Sequence, residues 1–183
     1  QIQTADSSLK IELIPFDNTP ENAREILSNL GKHIDMVAGI YDDRLIEYAN
    51  CAVAHLTNKR IALAFPLSHP LAGKERITAE DICGQSVMLV RTSWHDYVDR
   101  LRQDLTRNGA NIVDFDFYSL NVFNEAVRQN LPIMVIDDWE NIHPLMKIIP
   151  IEWEHSIPFG IMYGKEPSKL VSSFIRIVQQ ITK

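Results

Sequence analysis

Short apolar runs alternate along this chain with segments whose apolar residues recur every three or four positions. That pattern predicts strands alternating with helices. Residues 9–16 (LKIELIPF) read as a strand, with Ile11, Leu13 and Ile14 apolar. Asp17-Asn18 turns the chain, and Thr19-Pro20 supplies an N-cap and a first helical residue. Ala23, Ile26, Leu27 and Leu30 then share a helix face, which Gly31 ends. Residues 34–40 (IDMVAGI) form the next strand, so this part reads as β-α-β with parallel strands and a right-handed crossover. Residues 41–50 are polar and read as loop or a short turn, and residues 51–56 as a further strand.

The stretch from Arg60 to Gly84 organises the middle of the chain. Residues 61–65 make a buried strand that Pro66 stops, because proline has no N–H for a central ladder. His69-Pro70 bends the chain, since the residue before proline is pushed out of the α region. Gly73-Lys74 reads as an exposed turn, and Thr78 with Asp81 three residues on as a capping box. Residues 86–90 (SVMLV) are a buried strand followed by the polar turn Arg91-Thr92-Ser93. Trp94, Tyr97, Val98, Leu101 and Leu105 then stand at helical spacing up to Asn108-Gly109. In residues 112–118, Val113, Phe115 and Phe117 alternate with Asp114 and Asp116, as in a half-buried strand. Ser119-Leu120-Asn121 begins a helix with Val122, Phe123, Ala126 and Val127 inward, and Asn130 can take a left-handed cap. Residues 131–136 are a buried strand ending at Asp137-Asp138, and residues 142–146 read as a helical turn. Residues 147–151 and 158–163 are further strands. Pro167 opens a last helix with Leu170, Val171, Phe174, Ile175, Val178 and Ile181 on one stripe. The whole reads as an α/β protein with mostly parallel sheet.

Composition narrows the class. At 183 residues the chain suits one domain or two small lobes, and 45% hydrophobic with 23% charged residues is ordinary for a globular protein. A net charge of -6 with scattered Lys and Arg argues against this segment gripping nucleic acid itself. No apolar run reaches the roughly 20 residues that span a bilayer, and the first ten residues, QIQTADSSLK, lack a leader's basic start and apolar core. Cys51 and Cys83 form no metal or redox motif and read as reduced packing residues of a cytoplasmic protein.

A family resemblance rests on the middle stretch: Leu63-Ala64-Phe65-Pro66, then His69-Pro70-Leu71-Ala72, then Ile77 and Glu80-Asp81-Ile82. In this order it resembles the effector-binding domain of LysR-type transcriptional regulators. Flanking motifs agree: IELIPF, then Ile26-Leu27 with Leu30-Gly31, then Ile34-Asp35 and Val37-Ala38-Gly39. The likeness runs from Lys10 to the end. There are two departures. The family places a strand and a helix before the equivalent of LKIELIPF, where Gln1 to Ser8 stand here. It also usually has Gly-x-Gly where this chain has Asn130-Leu131-Pro132. The resemblance implies two lobes with mixed, mostly parallel sheets, like type 2 periplasmic binding proteins. Lobe I would be residues 1–61 plus 158–183 and lobe II residues 62–157, with no DNA-binding domain in this chain. It implies a small-molecule effector in the interlobe cleft, and a homodimer or homotetramer. DNA would be bound only through a helix-turn-helix domain that this chain does not contain, and no membrane is involved.

Ligands of open α/β sheets bind beyond the carboxyl ends of parallel strands. Those ends supply the candidate effector-binding residues: Asp17 and Asn18; Gly39, Ile40 and Tyr41; Arg91, Thr92 and Ser93; Leu120 and Asn121; and Asp137. Arg91-Thr92-Ser93 before a helix suits a carboxylate or other anion. The plainer reading is that Thr92 or Ser93 caps that helix while Arg91 is solvated. Asp17 and Asp137 would repel an anion and favour a polar or cationic group. Nothing reads as catalytic. There is no Gly-x-Ser-x-Gly and no phosphate loop, and none of the six histidines stands at metal-ligand spacing, so no metal or cofactor is expected. Asp42-Asp43 and Asp137-Asp138 read as solvated loop acids, and His69 as structural. The expectation is a regulator's sensing domain rather than an enzyme. The alternatives are a free-standing solute-binding protein of the same fold and, behind it, a small α/β enzyme.

Overall fold

The computed structural model describes residues 10–15, 19–92, 95–153 and 155–181. In chain order the elements are α1 (Pro20–Ser28), β1 (Met36–Ile40), α2 (Asp43–Ala49), β2 (Cys51–Pro66) and a 3-10 turn (Pro70–Gly73). Next come α3 (Ala79–Ile82), β3 (Ser86–Val90), α4 (Asp96–Arg107), β4 (Asn111–Phe115) and α5 (Leu120–Gln129). The chain closes with β5 (Ile133–Ile136), β6 (Met146–Pro150), β7 (Ser156–Gly164) and α6 (Lys169–Ile181). They divide into two compact units, Gln1–Asn58 with Pro158–Lys183, and Lys59–Ile157. The α/β class with mixed sheets is as expected.

In the first unit the strand order is β1-β7-β2, with β1 antiparallel to β7. Ile161 and Met162 on β7 point to opposite faces, as neighbouring strand residues must. Ile161 joins Ala54, Val171, Ile175 and Val178 beneath α6, whereas Met162 joins Leu27, Tyr41 and Cys51, with Leu45 and Ile46 of α2 packed against them. Thr19 caps α1 as expected, its hydroxyl accepting from Asn22 N–H at 3.2 Å. Gly160 lies where the strands press closest: a Cβ added there would stand 2.5 Å from the Ala54 carbonyl oxygen and 2.9 Å from Cε1 of Tyr41. Gly39, directly across from it on β1, has room, with only Met162 Cε at 3.8 Å.

Several expectations for this unit need correction. Residues 10–15 form no strand. Ile11, Leu13 and Ile14 are exposed and no described strand pairs with them, so the apolar pattern there has no surface to bury against. The first β-α-β is therefore not formed by the described residues. Residues 43–49 are a helix rather than loop, because Asp42 Oδ1 accepts from Leu45 N–H at 2.8 Å and starts a turn. Asp42 is buried as that cap rather than solvated. Residues 51–56 and 61–65 belong to one strand of 16 residues.

The second unit holds β2's last residues between two antiparallel neighbours, β5 and β6, and continues through β5 to β3 and then β4, with β5 and β4 both parallel to β3. Residues 61–65 are fully buried. Val98, Leu101 and Leu105 seat α4 on β3 and β4. The Thr78–Asp81 capping box forms as expected, and the Lys74 ammonium on Asp81 holds that carboxyl below its usual range. Asn130 takes the left-handed conformation at φ 55°. Residues 142–146 are not helical. Met146 N–H bonds to the His143 carbonyl at 3.1 Å in a turn, and β6 starts at once. Cys51 is buried, which raises its thiol pKa, but Cys83 is exposed, so only one of the two packs inside.

Two turns of the same sequence, His69-Pro70-Leu71 and His143-Pro144-Leu145, stand side by side. In each, the buried histidine's Nδ1 accepts from the leucine N–H at 3.2 Å, and Leu67 N–H bonds to the Leu145 carbonyl at 2.9 Å. The second repeats the first because proline fixes the same bend and leaves the same free N–H for the ring.

These contacts carry two predictions. Gly160→Ala costs about 2 kcal/mol or more by overpacking, whereas Gly39→Ala stays within about 0.5 kcal/mol; urea unfolding measures both. Burial lowers the pKa of His69 below 6.5. The unfolded chain therefore takes up a proton that the folded chain refuses. Stability from this group is present above pH 6.5 and falls as pH drops below it, by at most about 1.4 kcal/mol per pH unit. Asp81 stays ionised throughout that range, and His69→Asn, whose amide oxygen accepts the same N–H, flattens the slope between pH 7.5 and 5.5.

Candidate functional site

The second unit builds its polar end from the parallel strands. Val90 of β3 pairs with Phe115 of β4, and Met88 with Ile133 of β5, so all three carboxyl ends lie at one edge of the sheet. Residues 91–92 follow β3 at that edge, residues 116–119 lead from β4 into α5, and residues 137–145 lead from β5 towards β6. Arg91 N–H bonds to the Phe115 carbonyl at 2.9 Å, carrying the pairing one residue past the strand. Its guanidinium pairs with the Asp116 carboxylate, both groups more than half exposed. Arg91 is thus a partner of Asp116 rather than simply solvated. Thr92 is exposed. Thr92 does not cap α4: its N-cap residue is His95, which makes no side-chain cap bond.

Ser119 caps α5, its Oγ accepting from Val122 N–H at 3.4 Å, which leaves Leu120 and Asn121 exposed on the first turn. Leu120 is 66% exposed. Asp137 N–H bonds to the Arg60 carbonyl at 3.0 Å, and Trp139 N–H to the Ile136 carbonyl at 3.1 Å, closing a tight turn. Asp138 in that turn pairs with Lys59. Behind the turn Tyr118 is the centre of an aromatic group. Its ring meets Phe115 at 4.9 Å and Trp139 at 4.8 Å edge-on, and its hydroxyl donates to the Met134 carbonyl at 2.8 Å. Burial pushes that phenol well above its ordinary pKa, so the hydroxyl stays protonated and keeps its proton for the Met134 carbonyl.

In the first unit, Gly39 and Ile40 end β1. Tyr41 N–H bonds to the Pro158 carbonyl at 3.1 Å, and the Tyr41 hydroxyl lies 2.8 Å from Nδ1 of His55. Tyr41 is a buried member of that unit's core, its ring packed above Gly160. Asp17, Asn18 and Ser93 lie outside the described residues. The structure thus brings Arg91, Thr92, Leu120, Asn121 and Asp137 to one edge of the second unit, and Gly39, Ile40 and Tyr41 to one strand end of the first. Sequence reasoning missed Asp116, Tyr118 and Trp139. The alternation in residues 112–118 marked Asp116 as outward, but nothing local shows that it meets Arg91. Among the described residues no group of His, Cys, Asp and Glu could hold a metal ion, and no helix is long and apolar enough to cross a membrane.

Comparison with known proteins agrees with this architecture. The LysR substrate binding domain family matches residues 14–182. The fold is also that of CbnR, a LysR family transcriptional regulator, at TM-score 0.75 and 12% identity, covering 100% of this chain and 63% of that one. The effector-binding domain of QuiR in complex with shikimate gives 0.74 and 15%, covering 99% and 86%. The oxidized form of OxyR gives 0.71 and 18%, covering 99% and 84%. No curated protein sequence matches. This chain belongs to the LysR substrate binding domain family.

Proposed function

We propose that this chain is the ligand-sensing and oligomerisation domain of a LysR-type bacterial transcriptional regulator, working in the cytoplasm and not as an enzyme. The family match over residues 14–182 carries this reading. The polar edge of the second unit supports it, because three parallel strand ends there present unlike polar side chains at the end of the sheet where ligands of this fold class bind. The effector is a small molecule held by Thr92, Asn121 and Asp137, with Arg91 and Leu120 beside them. We take the two compact units as lobes I and II, with boundaries near residues 61 and 158. The domain assembles as a homodimer or homotetramer and reaches DNA only through an attached helix-turn-helix. QuiR was solved with shikimate, which supports a small organic molecule as the kind of ligand. The effector acts by binding two arrangements of the regulator with different affinity, since equal affinity shifts nothing.

The test is thermal unfolding against sugars, amino acids, amines and aromatic acids. A true effector at a hundred times its dissociation constant adds about 2.7 kcal/mol. That is a rise of roughly 5–10 °C for a domain of this size, and Thr92→Ala reduces it. A panel with no member shifting the transition overturns the reading.

A further inference from the structure

We propose that Arg102 is a positioning residue of this site. Its guanidinium, reaching from α4, holds the carboxyl ends of β3 and β4 in the arrangement that presents Arg91, Thr92 and Asp116 to the effector. The inference rests on the sensor reading above and deepens it.

The first observation is where the guanidinium goes. Arg102 follows Leu101, which is fully buried where α4 meets β3 and β4. The Arg102 side chain is only 15% exposed. Its Nη2 donates to the Val90 carbonyl at 2.8 Å and to the Asp114 carboxylate at 2.6 Å. Val90 ends β3, Asp114 is the last residue but one of β4, and Val90 with Phe115 is the final pairing of the two strands. One nitrogen therefore ties both strands to the helix at the last rungs of their ladder, directly before Arg91 and Asp116.

The second observation is what lies beyond that ladder. Arg91 N–H reaches the Phe115 carbonyl at 2.9 Å, and the Arg91 guanidinium meets Asp116. Both groups of that ion pair are more than half exposed, and an exposed pair holds its partners weakly. Arg102 gives the same two strand ends a second, sheltered tie.

The third is the balance of stability. Nε of Arg102 is buried and has no acceptor among the described residues. A buried N–H without a partner costs stability, and Asp114, more than half exposed, returns little as an ion-pair partner. An apolar side chain of similar size would seat α4 without leaving that donor unmatched. It would not supply the rigid planar fork that fixes the direction of its acceptors. The gain from Arg102 is the geometry of the strand ends.

Hydrogen–deuterium exchange on the ligand-free protein tests this, comparing the parent with Arg102→Met, Arg102→Lys and Asp114→Asn. The expected result in Arg102→Met is exchange at least about tenfold faster in peptides covering residues 90–92 and 114–116, as for loss of a charged hydrogen-bond donor. Residues 61–65 and 133–136 keep the parent's rates. Arg102→Lys, whose ammonium still donates to the Val90 carbonyl, restores part of the protection. Asp114→Asn, at an exposed side chain, shows the same local change to a smaller degree and serves if Arg102→Met does not fold. Unchanged exchange at both strand ends overturns the inference. Equal acceleration at residues 61–65 and 133–136 makes Arg102 a general prop of the fold and overturns it too. Calorimetric titration with benzoate, shikimate, glucose, L-arginine and putrescine then reads the site itself. A probe that binds the parent binds Arg102→Met at least about tenfold more weakly. Equal binding by both overturns the positioning role and leaves the sensor reading standing. A blank from every probe and from the wider panel with the parent protein overturns the sensor reading, and this inference with it.

Discussion

The burial of five consecutive residues, Ile61 to Phe65, is the constraint on which the second unit depends. They are flanked by β5 on one side and β6 on the other, so both ladder directions are occupied and neither face meets water. Strands with that much apolar area removed from solvent have little freedom of register, because a one-residue slip reverses every side chain. Ala64 against Ile133 sets β5, Ile133 against Met88 sets β3, and Val90 against Phe115 sets β4. The positions of Arg91, Asp116 and Asp137 follow from that chain of pairings. A site assembled from three loops is thereby held by one strand that contributes none of its residues.

The two ends of this sheet are specialised differently. At the end of β2, Pro66 pairs with Met146, and the twin His-Pro-Leu turns close the edge with buried rings and satisfied backbone N–H groups. Ser68 Oγ donates to Asn130 Oδ1 at 2.9 Å, tying the same end to the left-handed cap of α5. These contacts are internally complete. At the opposite end, where β3, β4 and β5 finish, exposed hydroxyl, amide and carboxylate groups remain. Proteins of the parallel-sheet class commonly place binding at that end. Here the difference can be read group by group, as histidine rings bonded to backbone N–H groups on one side and exposed Thr92, Asn121 and Asp137 side chains on the other.

Much of the second unit was legible in the sequence because its signals are local. Pro66 and His69-Pro70 end a strand, Thr78 with Asp81 caps a helix, and the apolar spacing of Val98, Leu101 and Leu105 needs no partner to be recognised. Asn130 standing in for a family glycine was legible for the same reason, since asparagine tolerates a positive φ. What failed was non-local. LKIELIPF has a strand's composition, but a strand exists only against a neighbour, and residues 10–15 have none among the described residues. Residues 51–56 and 61–65 read as two strands, yet one strand, β2, runs through the polar residues between them because pairing on either side overrides propensity. The candidate site was half legible. Strand ends named Thr92, Asn121 and Asp137, while the pairing of Arg91 with Asp116 and the bracing of Trp139 by Tyr118 join residues far apart in sequence. Tyr41 follows a strand end, and what the sequence did not show is that Gly160 leaves a hollow that its ring fills.

We propose that the polar edge of the second unit, and not its histidine-turn end, receives the effector. Hydrogen–deuterium exchange with and without a bound small molecule distinguishes the two ends. Exchange is expected to slow in peptides covering residues 91–92, 116–121 and 137–139 and to stay unchanged at residues 67–73 and 142–146. Protection confined to the histidine turns, or spread evenly over both ends, would overturn this assignment.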